Sequence, residues 1–364
     1  MSYRYHRIGK HFVCVDQPVL AAIRTLLLGY EQNRLQSIGV SRHASRKAVQ
    51  FVARGKLGLL NSEQQLALPV RGQIALLVHR GFKVFDFERR EVTKVFDPGV
   101  SSEVAGKEIA ASRRASGVAA APAFIAEDAE GAWYKEEYVC GVHATDAEFR
   151  DGIDILDCYA DVEKCLLDLV ASGQLTNVDA RTHFDRQADL SFRDRWLQAG
   201  CNQEDVDEIS AYVESLRDWL FAQHGPDQLQ LVLSHGDFSL VNAISTNNGL
   251  RFIDWEGVAP RGLYNDVFNF LFVERYYERA SANFLDEMSE FIDRYCAAIQ
   301  AAVPALSDAS RQDLAVARRQ YYLERLRLLL DRAESQNLGS VVLKSIEMFR
   351  DFDQQVGDAA VEVP

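Results

Sequence analysis

The chain is poor in the residue clusters that cross-link small proteins or hold zinc. Its 364 residues include 6 cysteines, and no two of them form a C-x-x-C pair. None of the 8 histidines belongs to an H-x-x-x-H or H-E-x-x-H pattern. A secreted disulfide scaffold is shorter and denser in cysteine, so we expect reduced thiols and no zinc site.

Excess basic charge and long apolar runs are lacking as well. Lys and Arg number 40 against 53 Asp and Glu, which gives a formal net charge of -13. This balance argues against a broad basic surface for nucleic acid, although it leaves room for a local nucleotide pocket. The apolar stretch from Val19 to Leu28 is interrupted by Arg24 and is too short to span a bilayer. With no signal-peptide pattern, we predict a cytoplasmic protein with no nucleic-acid partner and no stable membrane insertion.

What remains is an ordinary globular composition, with 48% hydrophobic and 26% charged residues. A chain of this length is expected to form two lobes, each with a core of its own. The β-like runs cluster at 74–79, 82–87, 92–96, 122–126 and 132–139. Helical periodicity marks 18–35, 101–116, 146–170, 193–197, 204–224, 284–301 and 307–333.

These patterns predict an α+β fold with a small antiparallel sheet and a larger, mostly helical half. We expect residues 1–70 to be an N-terminal extension of unknown role and residues 71–140 to be a small lobe. Residues 141–364 would then form the helical lobe, so that the chain crosses between the lobes near Gly141.

Chemistry is concentrated in a single segment. Residues 231–234 form an apolar strand that leads into a turn holding Asp237, and Asn242 follows Asp237 by five residues. A second apolar strand, 250–253, leads directly into Asp254. We expect these three polar side chains to meet at one end of a small hairpin. Two of them supply hard oxygen ligands that suit Mg²⁺, and the third can accept a proton.

The pattern His235-x-Asp237-x-x-x-x-Asn242, followed by Asp254-Trp-Glu, resembles the catalytic block of the aminoglycoside phosphotransferase and choline kinase family. That family has the protein-kinase-like fold with two lobes. The resemblance implies a small-molecule kinase that uses ATP and Mg²⁺, with Asp237 as the catalytic base and Asn242 and Asp254 as the metal ligands. It also implies that His235 supports the loop and that Asp266 braces it.

Further residues resemble the family's nucleotide-binding half. Lys94, on the strand 92–96, would hold the α- and β-phosphates, and Glu103 or Glu108 on the following helix would position it. Family spacing favours Glu108. The run Glu137-Tyr-Val139-Cys-Gly is similar to the family's linker, in which backbone groups bond the adenine edge. The alternative for Lys94 is an exposed strand lysine without a binding role, and the alternative for the run 137–141 is a simple strand end followed by glycine.

One family feature is missing. No G-x-G-x-x-G precedes the Lys94 strand, and only Arg80-Gly81 occupies the turn where a phosphate-covering loop is expected. The D-F-G and A-P-E signatures of protein kinases are also absent, which counts against a protein kinase. A catalytically silent nucleotide-binding module that acts through protein partners stays open as the other alternative.

The acceptor implied by the resemblance is a hydroxyl of a small molecule, either an amino sugar, a sugar or a choline-like alcohol. Two sets of residues are compatible with a cationic acceptor, and both have an ordinary explanation as a solvated helix face or as core aromatics. The acidic set is Asp146, Glu148, Asp151 and Asp154, and the aromatic set is Tyr276, Tyr277, Tyr321 and Tyr322.

Overall fold

The computed structural model describes residues 2–28, 40–57, 59–60, 65–144, 155–172, 175–224, 228–273, 284–306, 313–332 and 338–357. The chain divides into two compact units. Unit 1 comprises Met1–Cys165 and Leu240–Glu256, and unit 2 comprises Leu166–Ser239 and Gly257–Pro364. The lobe boundaries near residues 70 and 140 stay a prediction.

Unit 1 is built on an eight-stranded antiparallel sheet with the strand order β3-β1-β2-β4-β5-β6-β8-β7. Its strands are β1 (Tyr3–Ile8), β2 (His11–Cys14), β3 (Gln65–Leu68), β4 (Ile74–Val78), β5 (Gly81–Asp86), β6 (Glu91–Phe96), β7 (Phe124–Glu127) and β8 (Trp133–Glu137). The helices are α1 (Val19–Ala22), which continues as a π-helical segment over Ile23–Leu28, α2 (Arg42–Lys56) and α3 (Ser102–Ala115). The first 70 residues therefore contribute three strands to the same sheet as the predicted strands.

The centre of this sheet forms where the sequence predicts it. A two-residue turn at His79 and Arg80 joins β4 to β5, with Val78 paired to Gly81. A Cβ atom on Gly81 would lie 2.0 Å from the carbonyl oxygen of Val95, so only glycine fits at this position. Ser101 caps α3 by accepting a hydrogen bond of 3.3 Å from the backbone N–H of Val104.

A second, three-stranded sheet of unit 1 has the order β13-β12-β9. It consists of β9 (Val142–His143), β12 (Ala243–Thr246) and β13 (Gly249–Phe252), with short 3₁₀ turns at Leu240–Asn242 and Trp255–Gly257. Gly141 enters β9 so close to β12 that a Cβ atom would lie 2.1 Å from the carbonyl oxygen of Ser245. The glycine at the end of the predicted linker is thus required by a close backbone approach.

Unit 2 is mostly helical around a small antiparallel sheet of order β10-β11-β14. The strands are β10 (Thr176–Asp179), β11 (Gln228–Ser234) and β14 (Ala259–Gly262). The helices are α4 (Ile155–Ser172), which begins in unit 1, α5 (Ala180–Gln187), α6 (Phe192–Gln198), α7 (Gln203–His224), α8 (Asn265–Leu271), α9 (Phe284–Ala302), α10 (Leu314–Arg332) and α11 (Leu338–Gln355). The α+β class is confirmed.

One detail of the predicted topology is wrong. The strands that lead to Asp237 and Asp254 do not form a hairpin with each other, because β11 pairs with β10 and β14 while β13 pairs with β12. The hairpin in this segment is β12–β13. Asn242 precedes it and Asp254 follows it, whereas Asp237 follows β11.

Within the described parts of the chain, no helix is long and apolar enough to cross a membrane. The five cysteines whose side chains are described there are free thiols: Cys14, Cys140, Cys165, Cys201 and Cys296.

Candidate active site

A buried ion pair joins the sheet of unit 1 to α3. The ammonium of Lys94 lies 3.7 Å from Glu108, and only 4% and 6% of the two side chains are exposed. Lys94 also donates a hydrogen bond to the carbonyl oxygen of His79 in the β4–β5 turn, and Tyr134 donates to Glu108 at 3.2 Å. Burial lowers the pKa of Lys94 and raises the pKa of Glu108, and each charge partly offsets the effect on the other.

Of the two candidate partners of Lys94, the structure brings Glu108 to it. Glu103 lies on the exposed face of α3 and pairs with Lys107 at 2.7 Å. Because an α-helix repeats every 3.6 residues, Glu108 shares a face of α3 with positions 101, 104/105 and 112. This face is directed towards the sheet.

A second lysine belongs to the same face of the sheet and was not predicted. Lys83 on β5 is directly opposite Lys94 on β6. Its ammonium lies 3.0 Å from the carboxylate of Asp254. Burial alone would lower the pKa of Lys83, but the carboxylates of Asp254 and Glu136 outweigh burial and raise it above its ordinary value. The side chain therefore stays cationic at neutral pH.

Asn242 and Asp254 lie at the same end of the β12–β13 hairpin. Asn242 immediately precedes β12, and the backbone N–H of Ile253, just after β13, donates to the carbonyl oxygen of Asn242 at 2.8 Å. Asp254 follows with φ of 69°, a left-handed conformation that is uncommon for a residue with a side chain. Strained backbone of this kind is frequent at functional turns.

The two side chains fit a magnesium ion. Both supply hard oxygen donors, and the Asp254 side chain is 46% exposed. Mg²⁺ usually takes one or two protein carboxylates and completes its shell with phosphates and water. Among the described residues, no group of three or more His, Cys, Asp or Glu side chains is placed to hold a metal ion.

The predicted linker is anchored within unit 1. The Glu137 carboxylate pairs with Arg251 at 2.9 Å, and its backbone N–H donates to the carbonyl oxygen of Ala123 at 2.8 Å. Tyr138 and Val139 are buried, and the backbone N–H of Tyr138 donates to the carbonyl oxygen of Arg90 at 2.8 Å. The contact of Glu137 and Val139 with adenine stays a prediction.

In unit 2, the turn after β11 holds Asp237 in a braced loop. The Asp266 carboxylate accepts hydrogen bonds from the backbone N–H groups of His235 at 2.7 Å and Gly236 at 2.9 Å. His235 is fully buried, and its Nδ1 accepts from the N–H of Asp237 at 3.2 Å. Gly236 has φ of 82°, and a Cβ atom there would lie 2.6 Å from Nη1 of Arg261. His235 and Asp266 thus support the loop, as the resemblance implies.

Arg325, which sequence reasoning missed, holds the carboxylate of Asp237. Its Nη1 donates to Oδ1 of Asp237 and to the carbonyl oxygen of Gly236, both at 3.1 Å. Asp237 remains partly exposed, with 29% of its side chain open to solvent. The contact joins α10 to a loop 88 residues earlier in the chain, so no local pattern marks it.

Behind this loop lies a buried polar network centred on Glu324. Its carboxylate accepts hydrogen bonds from His183 at 2.8 Å, the N–H of Gly262 at 3.0 Å and the amide of Asn265 at 3.0 Å. Burial alone would raise the pKa of Glu324, but the hydrogen bond from His183 and the other donors outweigh burial and lower it. The hydroxyl of Ser234, at the end of β11, donates to Asn265 at 3.1 Å and links the network to the loop.

The residues considered for the acceptor give a mixed outcome. Tyr321 and Tyr322 are buried in the aromatic core of unit 2, where Tyr322 stacks on Phe349, so they form no exposed cage. The remaining candidates of both sets lie outside the described residues: Asp146, Glu148, Asp151, Asp154, Tyr276 and Tyr277.

The family model described as the phosphotransferase enzyme family matches residues 80–302, well over half of the chain. No curated protein matches the sequence of this chain. The chain belongs to the phosphotransferase enzyme family, which confirms the predicted family and the predicted enzyme class, a small-molecule kinase.

Three solved structures are similar to this chain. A choline kinase from Cryptosporidium parvum superposes with a TM-score of 0.50 at 13% identity, covering 79% of this chain and 89% of its own. A choline kinase from Streptococcus pneumoniae gives a TM-score of 0.49 at 14% identity, with 76% and 91% covered. A glucosamine kinase with glucosamine, ADP and phosphate gives 0.47 at 14% identity, with 78% and 79% covered. The first of these supports the predicted protein-kinase-like fold, which is confirmed.

Proposed function

We propose that this protein transfers the γ-phosphoryl group of ATP to a hydroxyl of a small molecule, with Mg²⁺ as cofactor. The proposal rests above all on one observation, the buried Lys94–Glu108 pair, whose two residues lie within the part of the chain that matches the family. A charged pair with so little exposure costs desolvation energy, and a structural role alone is served as well by apolar residues. We infer that the pair provides a fixed cation for the nucleotide phosphates.

In the reaction, Asp237 orients the acceptor hydroxyl and takes its proton as the oxygen attacks the γ-phosphorus. A bond forms between the acceptor oxygen and phosphorus, the bond from phosphorus to the bridging oxygen breaks, and ADP leaves. Phosphoryl transfer of this kind needs little covalent help from the protein, so positioning and charge compensation carry most of the catalysis. Arg325 fixes the carboxylate of Asp237 for this step.

Lys94 holds the α- and β-phosphates, and Glu108 positions Lys94. Asn242 and Asp254 hold the metal, which when bound neutralises phosphate charge. Backbone groups at Glu137 and Val139 bond the adenine edge.

For the acceptor we propose an amino sugar, a sugar or a choline-like alcohol. We also propose a cytoplasmic location, no nucleic-acid partner and no stable membrane insertion. The competing proposal is a catalytically silent module that acts through protein partners. Such a module would bind the nucleotide at the same site but would not transfer a phosphoryl group.

An acceptor screen separates the two. The full-length protein is titrated with Mg²⁺-ATP while its thermal unfolding is followed, and is then incubated with Mg²⁺-ATP and a panel of amino sugars, sugars and amino alcohols. We expect nucleotide-dependent stabilisation and, in at least one acceptor, the mass increment of one phosphoryl group. Stabilisation without any modified acceptor would favour the silent module.

A further inference from the structure

Two lysines face each other across the β5–β6 ladder. Directly opposite residues of an antiparallel pair have Cβ atoms roughly 4.5–5.5 Å apart, and like charges at that spacing repel. Lys83 and Lys94 occupy such a position. The arrangement is tolerated because each ammonium has a carboxylate of its own, Asp254 for Lys83 and Glu108 for Lys94.

The two ammonium groups differ in what surrounds them. Lys94 is almost fully buried, and its donors are directed to Glu108 and to the carbonyl oxygen of His79. The Lys83 side chain is 20% exposed, and its partner Asp254 is 46% exposed. Lys83 is therefore the more accessible cation, and its carboxylate partner is the proposed metal ligand.

The turn that would cover the phosphates is too short to do so with its backbone. Only His79 and Arg80 lie between the paired residues Val78 and Gly81. The His79 carbonyl already accepts from Lys94. A phosphate clamp made of successive backbone N–H groups needs a longer, glycine-rich loop. The charge of the phosphates must then be met by side chains of the sheet.

We propose that Lys83 is a second phosphate-binding residue, which contacts a nucleotide phosphate beside the metal ligand Asp254 and takes over the task of the missing glycine-rich loop. The inference rests on the proposed function. It requires no new covalent step, because the Lys83 ammonium exchanges part of its contact with Asp254 for a phosphate oxygen.

The test compares Lys83→Met with a matched control, Lys135→Met. Lys135 lies on β8 of the same sheet and pairs with Glu91 at 3.0 Å with 22% of its side chain exposed. It is opposite Thr93, so it points to the other face of the sheet. Affinities of the full-length proteins for Mg²⁺-ATP and for adenosine are measured by titration calorimetry.

We expect Lys83→Met to weaken Mg²⁺-ATP binding about 10- to 100-fold, the usual loss for a hydrogen bond to a charged group. Adenosine binding should be unchanged, which also shows that the variant is folded. Lys135→Met should bind both ligands like the wild type, and Lys83→Arg should recover part of the loss.

Unchanged or tighter Mg²⁺-ATP binding by Lys83→Met overturns the inference, since Lys83 would then only occupy or block Asp254. An equal loss of adenosine and Mg²⁺-ATP binding also overturns it, because the effect would not be specific to the phosphates. If the wild type binds no Mg²⁺-ATP at all, the proposed function fails and the inference with it. The wild-type titration thus distinguishes the two failures.

Discussion

Replacing Glu108 by Gln leaves the Lys94 ammonium buried without the carboxylate it pairs with. Only 4% of the lysine side chain and 6% of the glutamate side chain are exposed, so solvent cannot compensate. Breaking a buried pair by removing one partner costs about 3–5 kcal/mol. We expect this loss in the free energy of unfolding of Glu108→Gln, and a similar loss for Lys94→Met.

The double variant Lys94→Met/Glu108→Gln removes both charges and keeps an acceptor for the hydroxyl of Tyr134. It should be more stable than the sum of the single losses predicts, with a coupling energy of about 2 kcal/mol or more, because no unpaired charge remains. Urea unfolding followed by tryptophan fluorescence measures all four proteins under the same conditions.

Activity should behave differently from stability in these variants. The double variant regains stability but not turnover, since Lys94 is the proposed phosphate ligand, and kcat/KM should fall about 10²–10³-fold. A double variant that is both stable and active would refute the assignment of Lys94 to the nucleotide. Losses of stability that simply add would refute the charge-pair reasoning.

Arg325→Met should lower kcat about 10- to 100-fold with little change in the acceptor KM, because Asp237 loses its orientation; Arg325→Lys should restore part of it, and an unchanged kcat contradicts the positioning role. Glu324→Gln should lower stability near neutral pH. The pKa of Glu324 in the folded protein lies below its ordinary value of 4.5. The ionised Glu324 carboxylate therefore contributes its full stabilisation above about pH 4.5, and this contribution is lost as the pH falls through the lower pKa of the folded protein. Thermal unfolding across the acid range tests this, and a gap between wild type and variant that widens in acid contradicts it.

The hairpin that carries Lys94 could be predicted because its signals are local. Apolar runs flank a polar turn, and the pairing of Asp86 with Glu91 follows from the turn itself. The same register places Lys83 opposite Lys94, so the second lysine could have been found once the turn was fixed. The spacing of His235, Asp237 and Asn242 is also local, whereas the hydrogen bonds of this loop to Asp266 and Arg325 are not.

Strands and contacts whose partners lie far away in the chain could not be predicted from local sequence patterns. The strand β1 pairs with β3, whose residues lie about sixty positions later in the chain. β14 contains Pro260 and Gly262, residue types that are depleted in strands, and it was therefore not predicted as the partner of β11. The contact of Arg325 with Asp237 depends on where α10 packs, which sequence spacing does not encode.

The most direct measurement of the central claim follows the fate of the γ-phosphoryl group itself. Wild type and Asp237→Asn are incubated with γ-labelled ATP, Mg²⁺ and the acceptor panel, and the label is traced to small molecules, to protein and to free phosphate. We predict label in a small-molecule hydroxyl for the wild type and a loss of about 10²–10⁴-fold in rate for Asp237→Asn, the range expected for a lost general base. Label transfer at the wild-type rate by a normally folded Asp237→Asn protein would contradict the claim.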